Sequence, residues 1–115
     1  MHEDVELTQL ATDFRKAYVK EFGKQPSDYK SRSIFDAILI AANAINQAGG
    51  TDPDKIVNAL ENTDMVVTRG KVSFGTEKGG PSYHHWMPPM LVIQWQDKKQ
   101  VVLYPPEGAT GKLKQ

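Results

Sequence analysis

The chain has 115 residues, 39% of them hydrophobic, with 14 Lys and Arg balanced by 14 Asp and Glu, which allows one domain with a modest core. It contains no cysteine, so a disulfide framework, a cysteine zinc site, an iron–sulfur cluster and a thiol nucleophile are excluded, while the compartment stays open. The basic residues are scattered instead of forming a stripe, so there is no electrostatic footprint for nucleic acid and none is expected as a partner.

From Val5 to Phe22 the apolar residues Leu7, Leu10, Ala11, Phe14, Ala17 and Tyr18 recur at the spacing of one helical face. Gly23 stands where a left-handed C-cap belongs, and Pro26 forbids continuation. The opening MHEDVELTQ has neither the basic nor the apolar region of a secretion signal, so any such signal is missing or was removed, and the expectation is a piece of a longer chain. A second helix is predicted to start between Ser27 and Ser33 and to end at Ala48, ahead of Gly49 and Gly50. Its middle, IFDAILIAANAIN, is too short for a membrane span and contains Asp36 and Asn43. It is apolar on nearly every side, and a helix of that kind is covered by protein on most faces, which this chain alone has little means to do. The third helix has the clearest start: Asp52 as cap, Pro53 in the first turn and Asp54 at the positive end of the dipole, running to about Asn62.

After Asn62 the period changes to two. Lys71 to Phe74, KVSF, reads as a short strand. Leu91, Ile93 and Trp95 alternate with Val92, Gln94 and Gln96, and a three-residue DKK link leads to QVVLY, which predicts a β-hairpin. Between them GTEKGGPSYHHWMPP reads as a crossing loop, with Trp86 and Pro88-Pro89 expected to fix the approach of the strand and cover its edge. The tail PPEGATGKLKQ shows no apolar period and is expected to be extended or frayed. The organisation is then a three-helix part over 5–62, a strand, loop and hairpin over 63–105, and a tail over 106–115.

Several stretches invite a chemical reading. His84 and His85 are adjacent, and adjacent side chains of an extended chain point apart, so they do not make a metal pair; no metal or cofactor is expected. Ser82 near these histidines lacks the G-x-S-x-G elbow of a hydrolase, and GTEKGGP lacks the strand-loop-helix setting of a phosphate loop. Glu61 and Asp64 are helix-end acids of the solvated kind. No enzymatic activity is expected. Tyr29, Lys30, Ser31, Arg32 and Ser33 are more informative: hydroxyls, a cation and free amide groups gathered at the start of the most buried helix can converge on a small anionic or zwitterionic ligand. Simple capping with a surface ion pair is the other reading of the same residues.

The order of the elements, with FRKAYVKEFGKQPSDY, then IFDAILIAANAINQAGGTDPDKIVNALENTD, then RGKVSF, and finally YHHWMPPMLVIQWQDKKQVVLYPPE, resembles the C-terminal third of the periplasmic solute-binding proteins of branched-chain amino-acid-type ABC transporters. The resemblance covers Leu7 to about Gly111. It implies an α/β fold, part of a lobe of a type I periplasmic-binding protein: three helices followed by a short strand and a β-hairpin. In such proteins two lobes close on a small ligand, and no bonds are made or broken. By position, Tyr29 is the first choice for the family's aromatic ligand contact and Lys30 the ungapped match, with Ser31, Arg32 and Ser33 offering hydrogen bonds to ligand or to the other lobe.

The resemblance further implies an extracytoplasmic location, periplasmic or as a cell-surface lipoprotein, an amino acid or related carboxylate as ligand, and an ABC transporter permease as partner. It also implies that the apolar second helix packs on a sheet this chain does not contain. The chain is therefore expected in a larger assembly or as a homodimer, domain-swapped in one version. Two alternatives share the sequence features: a ligand-sensing domain of a receptor or regulator, and a protein-interaction module that docks through the helix face and the VIQWQ hairpin without a small ligand.

Overall fold

The structure, a computed structural model, describes residues 8–26 and 30–115. Helix α1 spans Gln9–Phe22. Thr8 is its N-cap, its hydroxyl accepting from the Ala11 N–H at 3.1 Å, and Gly23 ends it at φ 66° with its N–H on the Val19 carbonyl, the left-handed cap that the sequence calls for. Helix α2, Lys30–Ala48, begins inside the expected window and stops before Gly49, φ 69°. Helix α3, Pro53–Glu61, starts as expected: the Asp52 carboxylate accepts from the Lys55 N–H at 3.0 Å, and Asn62 closes the end.

Strand β1, Met65–Val67, and strand β2, Gly70–Val72, form an antiparallel hairpin around the two-residue turn Thr68-Arg69, with Val67 opposite Gly70 and Met65 opposite Val72. The single strand expected over 71–74 thus has an upstream mate, and Phe74 lies beyond it, packed on the core. Three residues are too few for an alternation to stand out in sequence. Strand β3, Val92–Gln96, pairs antiparallel with strand β4, Lys99–Tyr104, with a bulge between Val92 and Ile93. The expected three-residue link is a two-residue turn: Asp97 and Lys98 take φ 50° and 66°, and Lys99 is already paired with Gln96. Two positive φ values match the right-handed twist of the strands. The tail, expected to be frayed, runs back over this hairpin. The Thr110 N–H and hydroxyl bond the main chain of Val102, and Gln94 and Gln96 hold the main chain of Lys114 and Lys112.

A small core forms where α2 crosses the first hairpin: Ile40, Val67 and Val72, flanked by Leu60, Met65, Phe74 and Trp86. On α2 the buried residues are Arg32, Asp36, Ile40 and Ala44, one stripe at four-residue spacing. Asp36, 1% exposed, is the polar member that joins helix to sheet. Its two oxygens accept from the Thr68 N–H at 2.9 Å, the Thr68 hydroxyl at 2.8 Å and the Arg69 N–H at 3.2 Å. The same turn receives α1, since the Thr8 hydroxyl lies 3.1 Å from the Val67 carbonyl and 3.3 Å from that of Thr68. Phe14 of α1 completes the contact with its ring 4.9 Å from that of Phe35 on α2.

Loop 75–90 folds back on β2. The His84 N–H donates to the Gly75 carbonyl at 2.7 Å, the Gly75 N–H donates to the His85 carbonyl at 3.2 Å, and the Trp86 indole N–H donates to the Lys71 carbonyl at 3.0 Å. Trp86 covers the β2 edge as the sequence suggests, and Pro89 comes close to Gly70.

Among the described residues nothing covers the outer side of α2. Ile34 and Ile38 are each 63% exposed and Ile45 42%. The molecule measures 52 × 37 × 18 Å with a radius of gyration of 16.8 Å, against about 13 Å for a compact chain of this length. Its surface is 8195 Å², against roughly 6,300 Å² for a folded monomer of this mass. The expected apolar patch is present.

Two substitutions probe this architecture. Asp36→Ala leaves three donors without their carboxylate and should lower stability by about 3 kcal/mol, read as a reduced urea midpoint at unchanged slope. Gly75→Ala drives a Cβ into the Ser82 carbonyl oxygen and should cost about 1–3 kcal/mol with a changed near-ultraviolet circular dichroism spectrum. Gly79→Ala, where a Cβ meets nothing within 4 Å, should lose no more than about 1 kcal/mol through its positive φ.

Candidate functional site

The start of α2 lies near where α1, α2 and the first hairpin meet, and it carries four of the five candidate ligand residues, Lys30, Ser31, Arg32 and Ser33. Lys30 is exposed at the first helical position, Ser31 and Ser33 are half-buried, and Arg32 is 6% exposed. Tyr29 lies outside the described residues. Arg32 and Asp36 are one turn apart on the buried stripe, so Arg32 faces inward while Lys30 faces solvent. Arg69 enters from the hairpin turn, its Nη1 donating to the Ser33 hydroxyl at 3.4 Å.

Sequence reading missed four residues that build this junction: Thr8, Asp36, Thr68 and Arg69. One signal was available. A carboxylate in the midst of an apolar helix has no partner on its own helix and must find donors elsewhere, because a buried unpaired charge is prohibitively costly. In this fold the donors are two main-chain amides and a hydroxyl of a tight turn, which sequence spacing does not reveal. Of these side chains Ser33 and Arg69 are joined directly, while Arg32 turns inward and Lys30 outward from the same turn. Asp36 takes up hairpin donors and keeps the turn rigid beneath them.

A second constellation lies at the loop. His84 adopts φ 56°, so the chain is not extended there, and the ring is directed by the turn: it stacks on Tyr83 at 3.8 Å, and its Nε2 lies 2.7 Å from Glu61 Oε1 at the end of α3. Under this pair sits a cavity of about 100 Å³ lined by Val57, Leu60, Glu61, Phe74 and His84. The pair ties the loop to α3 over an apolar floor. Asp64 pairs with Lys71 at the surface, 3.0 Å apart. Among the described residues no three His, Asp or Glu side chains gather as metal ligands, and no helix is long and apolar enough to cross a membrane.

Comparison with known proteins places this geometry. Residues 3–100 match the family model described as periplasmic binding protein. Leu/Ile/Val-binding protein homolog 8 of Brucella melitensis is 30% identical over 120 residues, covering 96% of this chain and 30% of the relative. Homolog 7 of the same organism is 26% identical over the same coverage. A crystal structure described as an ABC transporter from Rhodopseudomonas palustris superposes with a TM-score of 0.64 at 21% identity, over 84% of this chain and 27% of that one, a likeness of fold. The chain thus spans about a third of the length of the proteins it matches. With nearly all of its residues inside the family model and its helices and hairpins laid out as in a solved structure, the chain belongs to the periplasmic binding protein family.

Proposed function

We infer that this chain acts as the C-terminal portion of an extracytoplasmic solute-binding protein that captures a branched-chain or related amino acid, or an aromatic acid, for uptake by an ABC transporter. The observation that carries the reading is the anchored start of α2. Asp36 locks the helix to the Thr68-Arg69 turn, so Lys30, Ser31, Arg32 and Ser33 ride on a first turn held from below. Preorganised donors bind a carboxylate at less entropic cost than donors on a loop. The names of the relatives, Leu/Ile/Val-binding, support an amino acid as the ligand class.

In this reading Tyr29 supplies an aromatic wall, Lys30 and the serines meet the ligand carboxylate or the facing lobe, and the permease recognises the closed form. Closure buries the ligand and pairs its charges, so ligand binding shifts a two-state equilibrium and no chemistry occurs. The uncovered face of α2, with Ile34, Ile38 and Ile45, is where the rest of the lobe packs.

Thermal-shift and calorimetric measurements with leucine, isoleucine, valine and benzoate on this chain and on the two-lobe protein containing it test the reading. One of these ligands should raise the melting temperature of the two-lobe protein by several degrees and leave this chain unmoved; stabilisation of neither contradicts it. In the two-lobe protein Tyr29→Ala should weaken binding about tenfold or more, roughly 1.4 kcal/mol, while Lys24→Ala in the preceding link should leave the affinity unchanged.

A further inference from the structure

Loop 75–90 carries two methionines whose placement packing does not explain. Met87 is 70% exposed and Met90 76%, whereas Met65 lies against the core. A thioether in solvent contributes no burial; what it presents there is a soft lone pair, the kind of donor that soft metal ions take.

The path of the loop decides where these side chains stand. After the turn at His84, residues 85–90 run without helix or strand. Trp86 faces β2, its indole N–H on the Lys71 carbonyl and its ring against the core. Pro89, three residues on, faces β2 as well, its ring carbons against Gly70. Recurrence at every third residue is the period of a polyproline II chain, which Pro88-Pro89 favours in itself and in the residue before it. Met87 and Met90 follow the same repeat one position later, so they share a side, and that side is solvent. Their Cα atoms are about 9 Å apart in such a chain, a span that two flexible thioether arms close onto a single ion. His85 flanks Trp86 from the other direction, is exposed, and its ring has no hydrogen bond among the described residues. His84 is already engaged, its Nε2 held by Glu61.

We propose that His85, Met87 and Met90 form a three-coordinate site for a soft monovalent cation, Cu(I), with one imidazole nitrogen and two thioether sulfurs as ligands. The set is uncharged and contains no carboxylate, so it disfavours Mg(II), Ca(II) and Mn(II) and favours Cu(I). The chain contains no cysteine, so within it no thiolate competes for the ion. The adjacent histidines do not act as a pair. One is tied to α3 and the other joins the methionines, while the anchored indole of Trp86 holds the main chain between His85 and Met87 in place. The site lies on a different element from the start of α2 and does not depend on amino-acid binding there.

Ag(I), a redox-stable analogue of Cu(I), is the probe. Titrated into this chain with isotope-labelled methionine methyl groups, it should shift the Met87 and Met90 resonances together, to an end point of one ion per chain, and leave Met65 unmoved. Met87→Leu, Met90→Leu and His85→Gln should each weaken binding about tenfold or more, and His2→Gln should not. Leucine nearly keeps the volume of methionine at an exposed position, so the circular dichroism spectrum should stay the same. Zn(II) should leave both methyl resonances in place, and oxidation of the methionines to sulfoxides should abolish Ag(I) binding. The two-lobe protein should bind Ag(I) as this chain does. No binding by either protein, dependence on His2 instead of His85, or a Met87 shift that persists unchanged in Met90→Leu, the mark of isolated thioethers, would overturn the proposal.

Discussion

One carboxylate organises this molecule. Asp36 is buried in the middle of the long helix, and its charge is tolerable there only because three donors from the Thr68-Arg69 turn surround it. The bonds set the depth at which α2 lies on the first hairpin, and so decide that Ile40 meets Val67 and Val72. They also fix the turn to which Thr8 attaches α1. Charge-assisted bonds to main-chain amides depend on direction as well as distance, so the junction specifies one orientation of helix against hairpin where apolar packing of three aliphatic side chains would allow several.

That rigidity bears on function because the candidate ligand-facing residues are the first turn of the same helix. A binding site built on a locked helix terminus holds its donors in place before the ligand arrives. The family relationship explains what a self-contained small domain would not: a thin, wide molecule with isoleucines on the outside of its longest helix. The chain spans about a third of its relatives' length.

Elements with strong local signals were legible in the sequence. Gly23, the Asp52-Pro53-Asp54 start and the alternation through VIQWQ each carry their physics within a few residues, and the helices and second hairpin fall where those signals put them. Strand β1 was not legible, because Met65–Val67 forms a strand only by virtue of pairing with β2. Nor was the ordered tail, which is held by glutamine side chains that look like ordinary surface residues until the chain returns to them. Of the candidate site, the cluster at the start of α2 was visible as a composition of hydroxyls and cations. Its anchor was not, since Asp36 and Thr68 are 32 residues apart and nothing in the spacing connects them. His84 shows the same limit from the other side: its turn conformation and its bond to Glu61 come from the loop's path around Gly75.

Native-state hydrogen exchange at the Thr68 and Arg69 amides tests the central claim most directly. Both lie in a two-residue turn, a place where amides ordinarily exchange through local fluctuations. If the Asp36 carboxylate holds the fold together, these two amides exchange only with global unfolding, at the rate of the core amides of Val67 and Val72. Exchange at the fast rate of an open turn, with the core still protected, would contradict the account.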